Sequence, residues 1–189
     1  MIKVSIVSLV LVVLVSAVAQ AAVVNNLKDL NKCFTGDWSF EKVKTGNTET
    51  ITWIDPVDTA ARCAIEGIKL ASKNKKLALE VGNVIGTNFN WNDALGAYVI
   101  AVGANKKLCA NENVIYSINS ALGLKEGKAV EAAKKLGFVT CWPAVKPGLL
   151  KEFEGSSTSG YYYDNACPLL SKLKALDAEQ TKKCQPQKE

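Results

Sequence analysis

Histidine is absent from the 189 residues of this chain. Its absence excludes a Ser-His-Asp triad, a Cys-His dyad and any histidine-ligated zinc or copper. Arginine is nearly absent: Arg62 is the single one, and every other basic residue is lysine. The forked guanidinium that reads bases and clamps phosphates is therefore missing, and no specific nucleic-acid partner is expected. No Asn-x-Ser/Thr acceptor occurs, so an N-linked glycan is not expected either. No glycine-rich phosphate loop follows a predicted strand and no EF-hand loop is present, so no cofactor and no metal is implied.

Long apolar runs are also scarce, with one exception at the start. Lys3 precedes an apolar run from Val4 to Val18, which ends in Ala19-Gln20-Ala21. A basic start, an apolar middle and a small-residue end predict a secretory signal peptide over residues 1–21, cut after Ala21. The run spans about 15 residues, short of the roughly 20 that a bilayer-spanning helix needs. The sequence thus predicts a single secreted domain over residues 22–189, with no transmembrane segment after cleavage. No Pro- or Ser-rich linker divides it, and no internal repeat is evident.

Six cysteines are present: Cys33, Cys63, Cys109, Cys141, Cys167 and Cys184. An even number in an exported chain predicts three disulfides, because the compartment is oxidising. No pair has the C-x-x-C spacing of a redox centre or a zinc ribbon. Six cysteines allow 15 pairings, and spacing does not choose among them. With all thiols bridged, a cysteine nucleophile is not expected. Paired carboxylates remain for acid-base chemistry, such as Asp37 with Glu41, or Glu49 and Asp55 near Trp53. These read as solvated acids and helix caps, where lone acids usually sit.

Apolar residues recur mostly at helical spacing. Asn25 or Asn26 caps a short helix with Leu27, Leu30 and Phe34 on one face. Trp38 and Phe40, then Ile51 and Trp53, alternate with polar residues around a Lys44-Thr45-Gly46-Asn47 turn, which predicts a short β-hairpin over 38–53. Asp55-Pro56 opens a long helix that runs on to Val84. Asn92-Asp93 caps another, with Ala94, Leu95, Tyr98, Val99 and Val102 inward. Helices follow around Ile115–Leu122 and over 125–136, the second stopped by Gly137. A turn-rich piece follows Cys141-Trp142-Pro143. Asp164 or Asn165 caps a final helix carrying Leu169, Leu170, Leu173 and Leu176. The fold class is mainly α: a disulfide-stapled bundle of five or six helices.

The net charge is +5. Lys69, Lys73 and Lys76 share a helix face, and Lys106-Lys107 and Lys134-Lys135 add pairs; a solvated face is the reading preferred over an anion site. The tyrosines of Gly155–Cys167 (GSSTSGYYYDNAC) are consecutive. In an extended chain Tyr161 and Tyr163 share one side and Tyr162 opposes them. That makes the stretch a candidate lip of a binding site, with sealing onto the core the plainer use.

Six cysteines in a helical exported chain resemble, at the level of class, small secreted helical proteins of arthropod haemolymph, saliva and sensory fluid, of which insect odorant-binding proteins are an example. The likeness rests on cysteine number and helical content. The cysteine intervals differ from the odorant-binding pattern, the shortest here being 16 residues, so no binding residue carries over. The resemblance implies an apolar pocket between helices. The expectation is a secreted, non-enzymatic binding protein for a small hydrophobic ligand, with Trp91, Tyr98, Trp142, Tyr161 and Tyr163 as candidate ligand-binding residues. The alternative is an interaction or defence protein of salivary, venom or haemolymph type, acting through a lysine-rich surface with weak affinity for anionic surfaces.

Overall fold

The computed structural model describes residues 24–36, 40–45, 48–53, 56–156 and 160–184. The expected signal peptide, Trp38 and Asp55 lie outside the described residues. Nine α-helices are present among those described: α1 Leu27–Thr35, α2 Pro56–Lys73, α3 Ala78–Asn88, α4 Trp91–Ala104, α5 Glu112–Leu122, α6 Lys128–Lys134, α7 Trp142–Gly155, α8 Tyr161–Lys172 and α9 Ala178–Lys183. The mainly α, disulfide-stapled bundle is the expected one. Its division is finer than five or six helices, because short turns cut what periodicity alone reads as continuous.

The predicted hairpin is present. Strand β1, Phe40–Thr45, pairs antiparallel with β2, Thr48–Trp53, in a register that sets Phe40 opposite Trp53 and Thr45 opposite Thr48.

Capping residues fix the helix starts. Asn26 accepts the Asp29 N–H at 3.0 Å, opening α1. Asn90, rather than the expected Asn92-Asp93, caps α4 by accepting the Asp93 N–H at 2.8 Å. Asn111 accepts from the Asn113 and Val114 N–H groups at the start of α5. Asp177 and Gln180 form a reciprocal capping box on α9. Each such cap is worth about 1 kcal/mol.

The expected long helix after Pro56 is broken at Asn74, where a 3₁₀ turn, Lys75–Leu77, separates α2 from α3. A second 3₁₀ turn, Lys106–Ala110, follows α4. Gly137 does not stop the chain after α6. The helix instead widens into a π turn, Lys135–Thr140, closed by a 2.8 Å bond from the Cys141 N–H to the Leu136 carbonyl. The predicted turn-rich piece after Cys141 is α7, with Pro143 in its first turn, where a missing N–H costs little.

Helix α4 is the centre of the bundle: α2, α3, α5 and α6 all pack on it. The pairing of α3 with α4 is the most extensive, and glycines make it possible. A Cβ on Gly82 would lie 2.4–2.8 Å from the Tyr98 ring, and one on Gly86 would lie 2.3–2.7 Å from the Trp91 indole. Gly82 and Gly86 are thus notches that receive aromatic rings rather than weak points at a helix end. Tyr98 is fully buried in its notch, along with Leu95, Val102, Ile118 and Leu122 around it. Its hydroxyl donates to Asn83 Oδ1 at 2.8 Å, and Asn113 Nδ2 donates to the same oxygen at 2.9 Å. A buried polar group so partnered avoids the desolvation cost of an orphan.

Three disulfides join consecutive cysteines: Cys33–Cys63, Cys109–Cys141 and Cys167–Cys184. No cysteine is free. The first ties α1 to α2. The second ties the 3₁₀ turn after α4 to the end of the π turn. The third ties α8 to the C-terminal end of α9. No helix of the described residues is long and apolar enough to cross a membrane.

Candidate functional site

The five aromatic residues expected to meet a ligand do not converge. Trp91 is seated against Gly86, with its ring edge-on to Tyr116 at 5.4 Å. Tyr98 is sealed in the core, where burial raises its hydroxyl pKa well above the ordinary value. Trp142 stacks on Phe138, ring centres 5.8 Å apart. Tyr161 is exposed. Tyr163 is buried and stacked on Phe153 at 5.0 Å. The alternation expected of the three tyrosines fails because the chain is helical from Tyr161 onward, with Gly160 rather than Asp164 or Asn165 at its start. Consecutive helical residues turn by about 100°, so Tyr162 and Tyr163 both face inward and Tyr161 faces out. The Tyr162 hydroxyl lies 3.1 Å from both Asn119 Oδ1 and the Leu149 carbonyl. Burial first, and the Glu152 carboxylate second, raise its pKa. Tyr162 and Tyr163 therefore lay α8 onto α5 and α7, assisted by Asn165 Nδ2, which donates to the Leu122 and Leu124 carbonyls.

Three of the clefts that open to solvent are lined by described residues. The smallest, about 200 Å³, lies between α7, α8 and α9, and Tyr163 is the one expected site residue that lines any of the three. The second, about 290 Å³, runs between α4 and the π turn, lined by Val99, Val102, Gly103, Ala132, Leu136, Thr140 and Lys135. Its lining is the most apolar of the three. The Val99 side chain is half-exposed, and Val139, the residue before Thr140, is 77% exposed. A Cβ on Gly103 would meet nothing within 4 Å, so this glycine faces the open groove. The Cys109–Cys141 bridge joins the segment just after α4 to the residue just after the π turn, so a covalent tie links the two walls. The bridge limits how far the two walls can move apart, and such pre-ordering lowers the cost a ligand meets on binding.

The third cleft, about 390 Å³, lies between the two 3₁₀ turns, lined by Lys75, Lys76, Leu79, Glu80, Ala101, Ala104, Asn105 and Leu108. Both turns carry the same four residues, Asn74-Lys75-Lys76-Leu77 and Asn105-Lys106-Lys107-Leu108. This short repeat escapes a reading by composition and was visible in the sequence as a doubled N-K-K-L. The two copies share a geometry. Each asparagine N–H donates at 2.9 Å to a carbonyl four residues back, Leu70 and Ala101 respectively. Each asparagine side chain accepts the N–H of the second lysine, at 3.3 and 3.1 Å.

No group of three or more potential metal-ligating side chains occurs among the described residues. No protein-family model, no curated protein and no solved structure matches the chain.

Proposed function

We propose that the protein is exported from its cell and works by binding rather than by catalysis, carrying a small apolar ligand in the groove between α4 and the π turn. One observation carries the reading: an open apolar groove of about 290 Å³ whose two walls are cross-linked by Cys109–Cys141. That volume stands at the lower edge of the roughly 300–1,000 Å³ typical of small-molecule sites, which favours a compact ligand. The π turn supports the assignment, since such bulges in helices recur at functional sites. Lys135 at the rim offers one polar handle among apolar neighbours. The three bridges suit an oxidising compartment, in keeping with a leader cut after Ala21.

The test expresses the whole chain with its leader and uses protein collected from the medium. Recovery there, cleaved after Ala21, checks export. Titration with a neutral fluorescent apolar probe then checks binding. Saturable binding is expected, and Gly103→Leu, which fills the groove from a position with free space, weakens it at least about tenfold while circular dichroism stays unchanged. Protein retained in the cell overturns export. Absence of saturable binding, or equal binding by the folded variant, overturns the groove.

A further inference from the structure

The cleft between the two N-K-K-L turns has a different chemistry, and it stands independently of the groove beside the π turn. Three lysines pair with acids on their own helix, Lys69 with Glu66 at 2.6 Å, Lys134 with Glu131 at 3.2 Å and Lys183 with Glu179 at 3.4 Å. Lys75, Lys76, Lys106 and Lys107 make no ion pair among the described residues, and all four are exposed. Glu80 is the single acid among the lining residues of the cleft. Lys75 and Lys76 line the cleft side by side against that single acid, while Lys106 and Lys107 stand on the second turn outside its lining, so the local charge favours an anion. The floor is apolar in contrast, made of Leu79, Ala101, Ala104 and Leu108.

Charge at the rim and hydrocarbon below select a molecule with the same two parts. We propose that this cleft binds a single anionic amphiphile, an acyl chain ending in a carboxylate, with its head at Lys75 and Lys76 and its chain along Leu79, Ala101, Ala104 and Leu108. The volume of about 390 Å³ falls within the small-molecule range of roughly 300–1,000 Å³. A membrane surface fits less well. The large apolar side chains that stand exposed, among them Val57, Ile65, Val99, Tyr116, Val139, Tyr161 and Leu173, belong to neither turn, so nothing at this end is built to insert into lipid.

The experiment titrates the exported protein by calorimetry with decanoate below its micelle concentration, with decanol, with inorganic phosphate and with phosphatidylserine vesicles. Decanoate is expected to bind at one site, at least about tenfold more tightly than decanol, and phosphate is expected not to compete. The double variant Lys75→Gln/Lys76→Gln, altering two exposed side chains, is expected to lose about tenfold in decanoate affinity, with the loss shrinking in high salt. Gly103→Leu is expected to leave decanoate binding intact. The proposal is overturned by absent decanoate binding, by equal affinity for decanol, by competition from phosphate, or by binding confined to vesicles. It is equally overturned if Gly103→Leu abolishes binding while the lysine variant retains it, since the ligand then occupies the other groove.

Discussion

The two flanks of α4 use glycine to opposite ends. Toward α3, Gly82 and Gly86 receive the Tyr98 and Trp91 rings so closely that a single methyl group would collide with them. Toward α6 and the π turn, Gly103 faces space that no side chain fills. One flank is closed by aromatic packing and the other is left as a groove. Around α4, aromatic rings fill the closed flank, while small and aliphatic residues line the open one. Of the tyrosines and tryptophans expected at a ligand, Tyr163 alone lines one of the described clefts, and Trp91 and Tyr98 pack against the α3 glycines instead.

The sharpest way to break this contrast is to place one side chain on both flanks. Gly82→Leu is expected to cost about 3 kcal/mol by overpacking against a rigid buried ring, while Gly103→Leu leaves the denaturation midpoint close to the parent value. Equal losses at the two sites, measured in guanidinium unfolding, would erase the distinction.

A smaller effect probes the closed flank alone. Tyr98→Phe keeps the ring in its notch and removes one hydrogen bond, while Asn83 Oδ1 keeps its bond from Asn113. A loss of about 1 kcal/mol is expected near neutral pH. The pH dependence adds a sign. Burial raises the Tyr98 and Tyr162 pKa values above the ordinary value of 10.0. The unfolded chain releases those protons near pH 10 while the native state keeps them. Their contribution is thus full below pH 10 and lost as the pH climbs beyond it. Unfolding free energies followed upward from pH 9 are expected to fall, and to fall less steeply in Tyr98→Phe.

The smallest effect lies on the open flank. Gly103→Ala removes backbone freedom from the unfolded chain and meets no neighbour, so a gain of about 0.5–1 kcal/mol is expected in the same unfolding assay. A loss instead would mean that the position is not open.

Much of the scaffold was legible because its signals are local. Asn26, Pro56 and the alternation around Ile51 and Trp53 act on neighbouring residues, and the helix starts and the hairpin follow them. The breaks were not legible. Asn74 interrupts a continuous apolar stripe, and Gly137 is passed by a π turn where local rules predict an end. Both outcomes depend on tertiary neighbours, as with Gly137 lying under Ile118, whose methyl would stand 3.0 Å from an added Cβ. The candidate clefts were less legible still. Lys75 and Asn105 are far apart along the chain and line one cleft only because the turn after α2 packs on α4, and the cysteine pairing beside the groove was one of many arithmetic possibilities.

The order of that pairing has a further consequence. Because each bridge closes before the next begins, no bridge spans another, and the stretches 64–108 and 142–166 are crossed by no sulfur link. A protease cut within either stretch would leave two pieces held together by packing alone, whereas a cut inside a bridged loop would leave the molecule in one covalent piece. Resistance to proteolysis would then depend on how tightly those two stretches are folded away, and α3 and α4, buried against each other, guard the longer one.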